Sequence, residues 1–130
     1  MKRSTMKYCG RFVATVLLFS VAALRADTTE TRFFSGAMSP ANEAPRVVGV
    51  TASAQAIVTL VVQRDPSGTI VSGTVYFDVD YNFAAAATVN GLHIHQGGAG
   101  VEGPIRIATD LDGSPVPVQG GGNIFRVVQV

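Results

Sequence analysis

Both histidines of the chain stand two residues apart in Gly91-Leu92-His93-Ile94-His95, directly ahead of the run Gly97-Gly98-Ala99-Gly100-Val101-Glu102-Gly103-Pro104. In an extended strand successive side chains alternate faces. His93 and His95 therefore share one face, about 7 Å apart along the strand, and Leu92 and Ile94 share the other. Two neutral imidazoles placed in this way are able to ligate a transition metal at about 2.1 Å, copper and zinc being the ions that imidazole nitrogen suits best. Two ligands alone bind weakly. A stable site needs a further donor, for which the carboxylates Glu43, Asp78, Asp80, Glu102 and Asp110 are the candidates, and the glycine loop allows Glu102 to fold back over the pair. The commoner use of such a pair is to hydrogen-bond the glycine loop and hold its shape. The spacing leaves both roles open.

Other chemistry finds little support. The glycine run lacks the Lys-Ser/Thr and the helix start of a phosphate-binding loop, and it is followed by Pro104 and a β-rich segment rather than by the helix of a dinucleotide fingerprint. No Gly-x-Ser-x-Gly elbow occurs, and the single cysteine, Cys9, lies near the N-terminus. The residues thus present no recognisable catalytic constellation.

The elements that must position the histidines begin after a secretory signal expected at residues 1–26. Lys2, Arg3, Lys7 and Arg11 form its basic start, Phe12 to Leu24 its apolar core, and Ala26 or Ala23 the small residue before the cut. Cleavage takes Cys9 away, which leaves a chain held by its core rather than by disulfides. Five arginines then face nine carboxylates, a net charge of −4. That balance argues against nucleic acid or an anionic membrane as partner, and no apolar run of the mature chain is long enough to span a bilayer. Export to the outside of the cell, the periplasm or the cell envelope is the expectation.

Beyond a polar leader at 27–31 the pattern is that of strands. Ala52, Ala54, Ala56, Val58, Leu60 and Val62 alternate with polar residues, which indicates one long strand over 51–63. Arg64-Asp65-Pro66-Ser67-Gly68 has the composition of a tight turn and leads into a second strand over 69–81, with Val71, Val75, Phe77, Val79 and Tyr81 toward the core and Thr74, Tyr76, Asp78 and Asp80 outward. Further strands are expected at 32–38, 90–96, 104–109 and 123–130, with Leu92 and Ile94 buried beside Val58, Leu60, Val75 and Phe77. The linker Asn82 to Asn90 contains four consecutive alanines, enough for one helical turn, and Gly120-Gly121-Gly122 reads as a flexible break. Six strands without an amphipathic helix define an all-β domain, an antiparallel β-sandwich of immunoglobulin-like or superoxide-dismutase-like Greek-key type.

At this level the chain resembles the CHRD domain family, found in chordin and in secreted bacterial proteins. The likeness rests on His93-Ile94-His95 with the glycine loop through Pro104, on the small-residue hairpin at 51–81, and in part on Phe34-Ser35-Gly36-Ala37 and Asn42-Glu43-Ala44-Pro45. It covers about residues 32–130. The resemblance implies an extracellular β-domain with a binding role toward a protein or matrix component, and it places a carboxylate in the first loop, which makes Glu43 the first candidate for a third metal ligand and Glu102 the second. The family's Asn-Val-His-Thr-like and Gly-Glu-Ile-Arg-Gly-like closing strands have no counterpart before Val130, so C-terminal strands are expected to be missing. A histidine pair on a β-sandwich is also similar to copper-zinc superoxide dismutases, but the further metal histidines and the disulfide of that family are absent. The functional expectation is therefore an exported, non-enzymatic binding module, the alternative being a copper or zinc binding or redox protein that uses His93 and His95.

Overall fold

The computed structural model describes residues 26–130 apart from Ala44 and Ala99, so all but the last residue of the expected signal segment lies outside the described residues. Among the described residues six strands form in chain order: β1 (Thr28–Met38), β2 (Ala52–Arg64), β3 (Ile70–Val89), β4 (His93–His95), β5 (Ile105–Ala108) and β6 (Val116–Gln129). All pairings are antiparallel, in a four-stranded sheet of order β1-β2-β3-β6 and a two-stranded ribbon, β4-β5. The chain is thus all-β, as its period-two patterning requires. Among the described residues no helix is long and apolar enough to cross a membrane.

The β2-β3 hairpin is the frame of the sheet. Its turn is held by the Asp65 carboxylate, whose Oδ1 accepts from the Ser67 amide at 2.8 Å, the Ser67 hydroxyl at 2.6 Å and the Thr69 amide at 3.0 Å. Gly68 takes the left-handed backbone conformation, φ 88°, that a side chain would resist. These bonds hold the Asp65 carboxyl below its ordinary range, the Ser67 hydroxyl contributing most. One slip interrupts the hairpin register between Gln63 and Arg64. It leaves Val71 without a cross-strand partner, and Val71 is exposed rather than directed to the core as the alternation alone predicts.

From the inner face of the sheet Val75, Phe77 and Val79 of β3 and Val118 and Ile124 of β6 form one buried cluster, which Leu92 and Leu111 cover. Ala54, Ala56, Val58, Leu60, Ile94 and Ile107 pack on its margins, so Leu92 is buried as the sequence pattern predicts and Ile94 only partly. The small residues of β2 face the large ones of β3, Val58 opposite Phe77 and Ala56 opposite Val79.

Several boundaries differ from expectation. β1 begins at Thr28, because Thr28 to Thr31 find partners in Arg64 to Val61. The alanine linker is not helical: β3 continues to Val89, with Ala87, Thr88 and Val89 paired to Val118, Pro117 and Val116. Four alanines are too few to nucleate a helix against flanking aromatic and β-branched residues with a strand partner at hand. The triple glycine is likewise strand. Gly120, Gly121 and Gly122 pair with Phe83, Asn82 and Tyr81, and a Cβ at Gly122 would enter the Tyr81 ring, so the missing side chains make room for an aromatic one. β6 accordingly starts at Val116 instead of residue 123, and β4 shrinks to His93–His95.

Candidate functional site

β4 delivers His93 and His95 to the same side of the ribbon, their ring centres 6.0 Å apart and their planes at 68°. The chain returns along β5, where Ala108 opposes His93, and the next amide, that of Thr109, donates to the Leu92 carbonyl at 3.2 Å. A single 3-10 turn, Asp110–Asp112, follows. Leu111 at its centre is fully buried and anchors the turn, with the Thr109 hydroxyl accepting from the Leu111 amide. The anchored turn holds Asp112 over the ribbon, its Oδ1 3.1 Å from His93 Nε2. Asp110, on the other side of Leu111, accepts from Arg126 Nε at 2.9 Å.

His95 meets the glycine loop. Its Nδ1 lies 2.8 Å from the Gly103 carbonyl oxygen, while the Gln96 amide donates to the Pro104 carbonyl at 3.0 Å and closes the loop base. Gly103 is required there, since a Cβ would overlap the Gln96 carbonyl. A carbonyl and a carboxylate can only accept, so His95 Nδ1–H and His93 Nε2–H are the donors. When a ring is neutral its other nitrogen, Nδ1 of His93 or Nε2 of His95, keeps its lone pair.

The carboxylates that the sequence offered as further ligands are dispersed. Asp78 and Asp80 project from the outer face of the sheet, where Asn123 Nδ2 donates to both, at 2.6 and 2.9 Å, and the sheet itself separates them from the pair. Asp110 is engaged by Arg126, and Glu102 is exposed on the glycine loop. Glu43 comes nearer, on the wall of a cavity that His93 also lines. Among the described residues no three His, Cys, Asp or Glu side chains gather into a metal-binding group. The carboxylate beside His93 is instead Asp112. Sequence spacing cannot place it, although an apolar residue inside the Asp-Leu-Asp-Gly turn is a signal that the turn is anchored and its flanking carboxylates presented. Gly91 was equally silent in the sequence: a Cβ there would come within 2.7 Å of His93 Cε1 and 3.4 Å of Asp112 Oδ1, so its absence lets the ring and the carboxylate meet.

The cavity has a volume of about 440 Å³ and lies between the inner face of the sheet and the loop joining β1 to β2. Its floor is the core itself, Val79, Leu92 and Ile124. The loop supplies the roof, including Pro40, Glu43, Val47 and Val50, and is braced by the Val47 amide donating to the Pro40 carbonyl at 3.1 Å. No protein-family model, curated protein or solved structure matches this chain.

Proposed function

We propose that this chain is an exported, non-enzymatic β-module of CHRD type that binds a protein or matrix partner. The observation that carries the reading is the outer face of the four-stranded sheet. Cross-strand register sets Phe33, Thr59, Tyr76 and Val127 in one row and Ser35, Ile57, Asp78 and Phe125 in the next. Phe33 is 72% exposed and Phe125 52%, and the Tyr76 and Phe125 rings lie 6.4 Å apart. A contiguous exposed face of this kind, with two aromatic rings beside each other and the acidic Asp78 among them, is what a protein-docking surface needs. The basic start and apolar core of residues 1–26 support export, the His-Ile-His strand with its glycine loop supports the family likeness, and the packing of β4-β5 on the core supports its reading as part of a sandwich's second layer. The test is capture of partners from the native extracellular matrix by wild type and by the Phe33→Ser/Phe125→Ser double variant. Both substitutions are on an exposed face and leave the core intact, so loss of a specific partner with unchanged circular dichroism is expected, and undiminished capture would sink the proposal.

A second reading, copper or zinc binding through His93 and His95, is favoured by one feature. Each ring spends its N–H on an oxygen acceptor, the support that metal-bound histidines ordinarily have, and keeps a lone pair. Two imidazoles on one tetrahedral ion have ring centres about 5 Å apart, so the pair would have to close by about 1 Å and recruit Glu43, Glu102 or water. Weak binding is expected in calorimetric titration with zinc and copper, weakening further as the pH falls and protons compete for the nitrogens. Binding that survives both His93→Ala and His95→Ala would remove this reading.

A further inference from the structure

We infer that the cavity under the β1-β2 loop is a binding site for a small apolar amine, a ligand with a hydrophobic body and a cationic head. The cavity is of ligand size, about 440 Å³, and its floor is formed by buried core side chains, so an apolar body entering it leaves water on contact with Val79, Leu92 and Ile124. Tyr81 and Phe83, set edge-on with ring centres 5.5 Å apart, add an aromatic wall. Val47 and Val50 of the roof are 45% and 38% exposed, apolar surface that an occupant would cover.

The head group follows from the polar atoms around this apolar space. Glu43 supplies a carboxylate that pairs with no basic side chain among the described residues, and none of the described lining residues is lysine or arginine. When the His93 ring is neutral, its Nε2–H is occupied by Asp112 and its remaining nitrogen is an acceptor. An anionic head would therefore face a carboxylate with no compensating cation, whereas an ammonium finds a counter-charge in Glu43 and an acceptor in His93. Charge selects the amine over the acid of the same body.

The chain has no tryptophan, so the emission of an added indole reports on the ligand alone. Tryptamine, indole-3-propionate and 3-methylindole share that body and differ in head, being cationic, anionic and neutral. Titrating each with the full-length chain, we expect a blue shift and saturable binding for tryptamine, weaker binding for 3-methylindole, and the weakest for indole-3-propionate. Glu43→Gln should weaken tryptamine by about three- to tenfold and leave 3-methylindole unchanged, the range expected for a partly exposed charge-assisted contact. Ala87→Leu, which fills the cavity from β3, should abolish the blue shift for all three while circular dichroism remains that of wild type. Indole-3-propionate binding as tightly as tryptamine, a Glu43→Gln variant indistinguishable from wild type, or no blue shift at millimolar tryptamine would each overturn the assignment. These readouts do not involve the outer sheet face, so their failure leaves the partner-docking proposal standing.

Discussion

His93 and His95 are held by different parts of the chain, and that difference gives each a separate consequence when disturbed. His93 is set by Asp112 and by the empty space at Gly91, His95 by the Gly103 carbonyl. A methyl group at Gly91 must push the His93 ring aside. Gly91→Ala is therefore expected to break the contact with Asp112 and change the nitrogen chemical shifts of His93 while leaving those of His95 in place, as read by imidazole NMR. His95→Ala should instead loosen the glycine loop, with faster amide hydrogen exchange at Gln96 and Val101 and little change near Asp112. Identical responses of both rings to either substitution would show that the two contacts act as one unit, against the separation drawn from the geometry.

At the scale of elements the β2-β3 turn and the start of β1 carry the acid sensitivity. The Asp65 carboxyl is held below its ordinary value of 3.8 chiefly by the Ser67 hydroxyl, and the Glu30 carboxyl below 4.5 chiefly by its hydrogen bond from Arg32. A carboxyl whose folded value is depressed binds its proton more readily in the unfolded chain, so its stabilisation is complete above the ordinary value and is lost as the pH falls through the lower, folded one. Thermal stability is accordingly expected to hold from neutrality down to about pH 4.5 and to decline below it. Asp65→Asn should flatten the acid limb of that curve and lower stability at neutral pH, since the amide oxygen is a weaker acceptor for the amides of Ser67 and Thr69. An unchanged acid limb in this variant would show that the turn carboxylate plays no part. Glycines act at this scale too. Gly122 leaves the space that the Tyr81 ring fills, and in doing so lets β6 run uninterrupted alongside β3.

Across the whole molecule one core joins the sheet to the ribbon, and two side chains test the join from opposite sides. Phe77, 1% exposed, belongs to the sheet, and its truncation to alanine should cost about 3–5 kcal/mol and lower the cooperative unfolding transition of the entire domain. Leu111, with no exposed surface, fastens the turn that bears Asp112. Leu111→Ala should cost about 2–5 kcal/mol in chemical denaturation and in addition release His93 from its carboxylate, an NMR change that Phe77→Ala lacks in the residual folded population. Equal effects on the His93 resonances would mean that the turn is not independently anchored. The outer face contributes little to this core, which is why surface substitutions at Phe33 and Phe125 are expected to alter association rather than folding.

The features legible in the residues alone were local and periodic. Alternation over 51–63 and 69–81 specified two strands and, Val71 excepted, their faces, the Asp65-Pro66-Ser67-Gly68 run specified the hairpin between them, and the i, i+2 spacing of His93 and His95 specified a shared side, because a strand's side-chain period is two and depends on nothing distant. The all-β class followed from the same signal. Which separate segments meet was settled by packing between distant parts of the chain. Local propensity marked Ala84 to Ala87 for a helical turn and Gly120 to Gly122 for a break, yet Ala87 pairs with Val118 and the three glycines with Phe83, Asn82 and Tyr81 along the β3-β6 ladder, whose hydrogen bonds outweigh propensities worth about 1 kcal/mol or less per residue. The site shows the same division. The histidines were legible, but Asp112 beside His93, the space at Gly91, and the wall shared by Glu43 and His93 depend on a turn anchored by Leu111 and on a loop folded over the sheet, contacts between residues far apart in the chain that no spacing encodes.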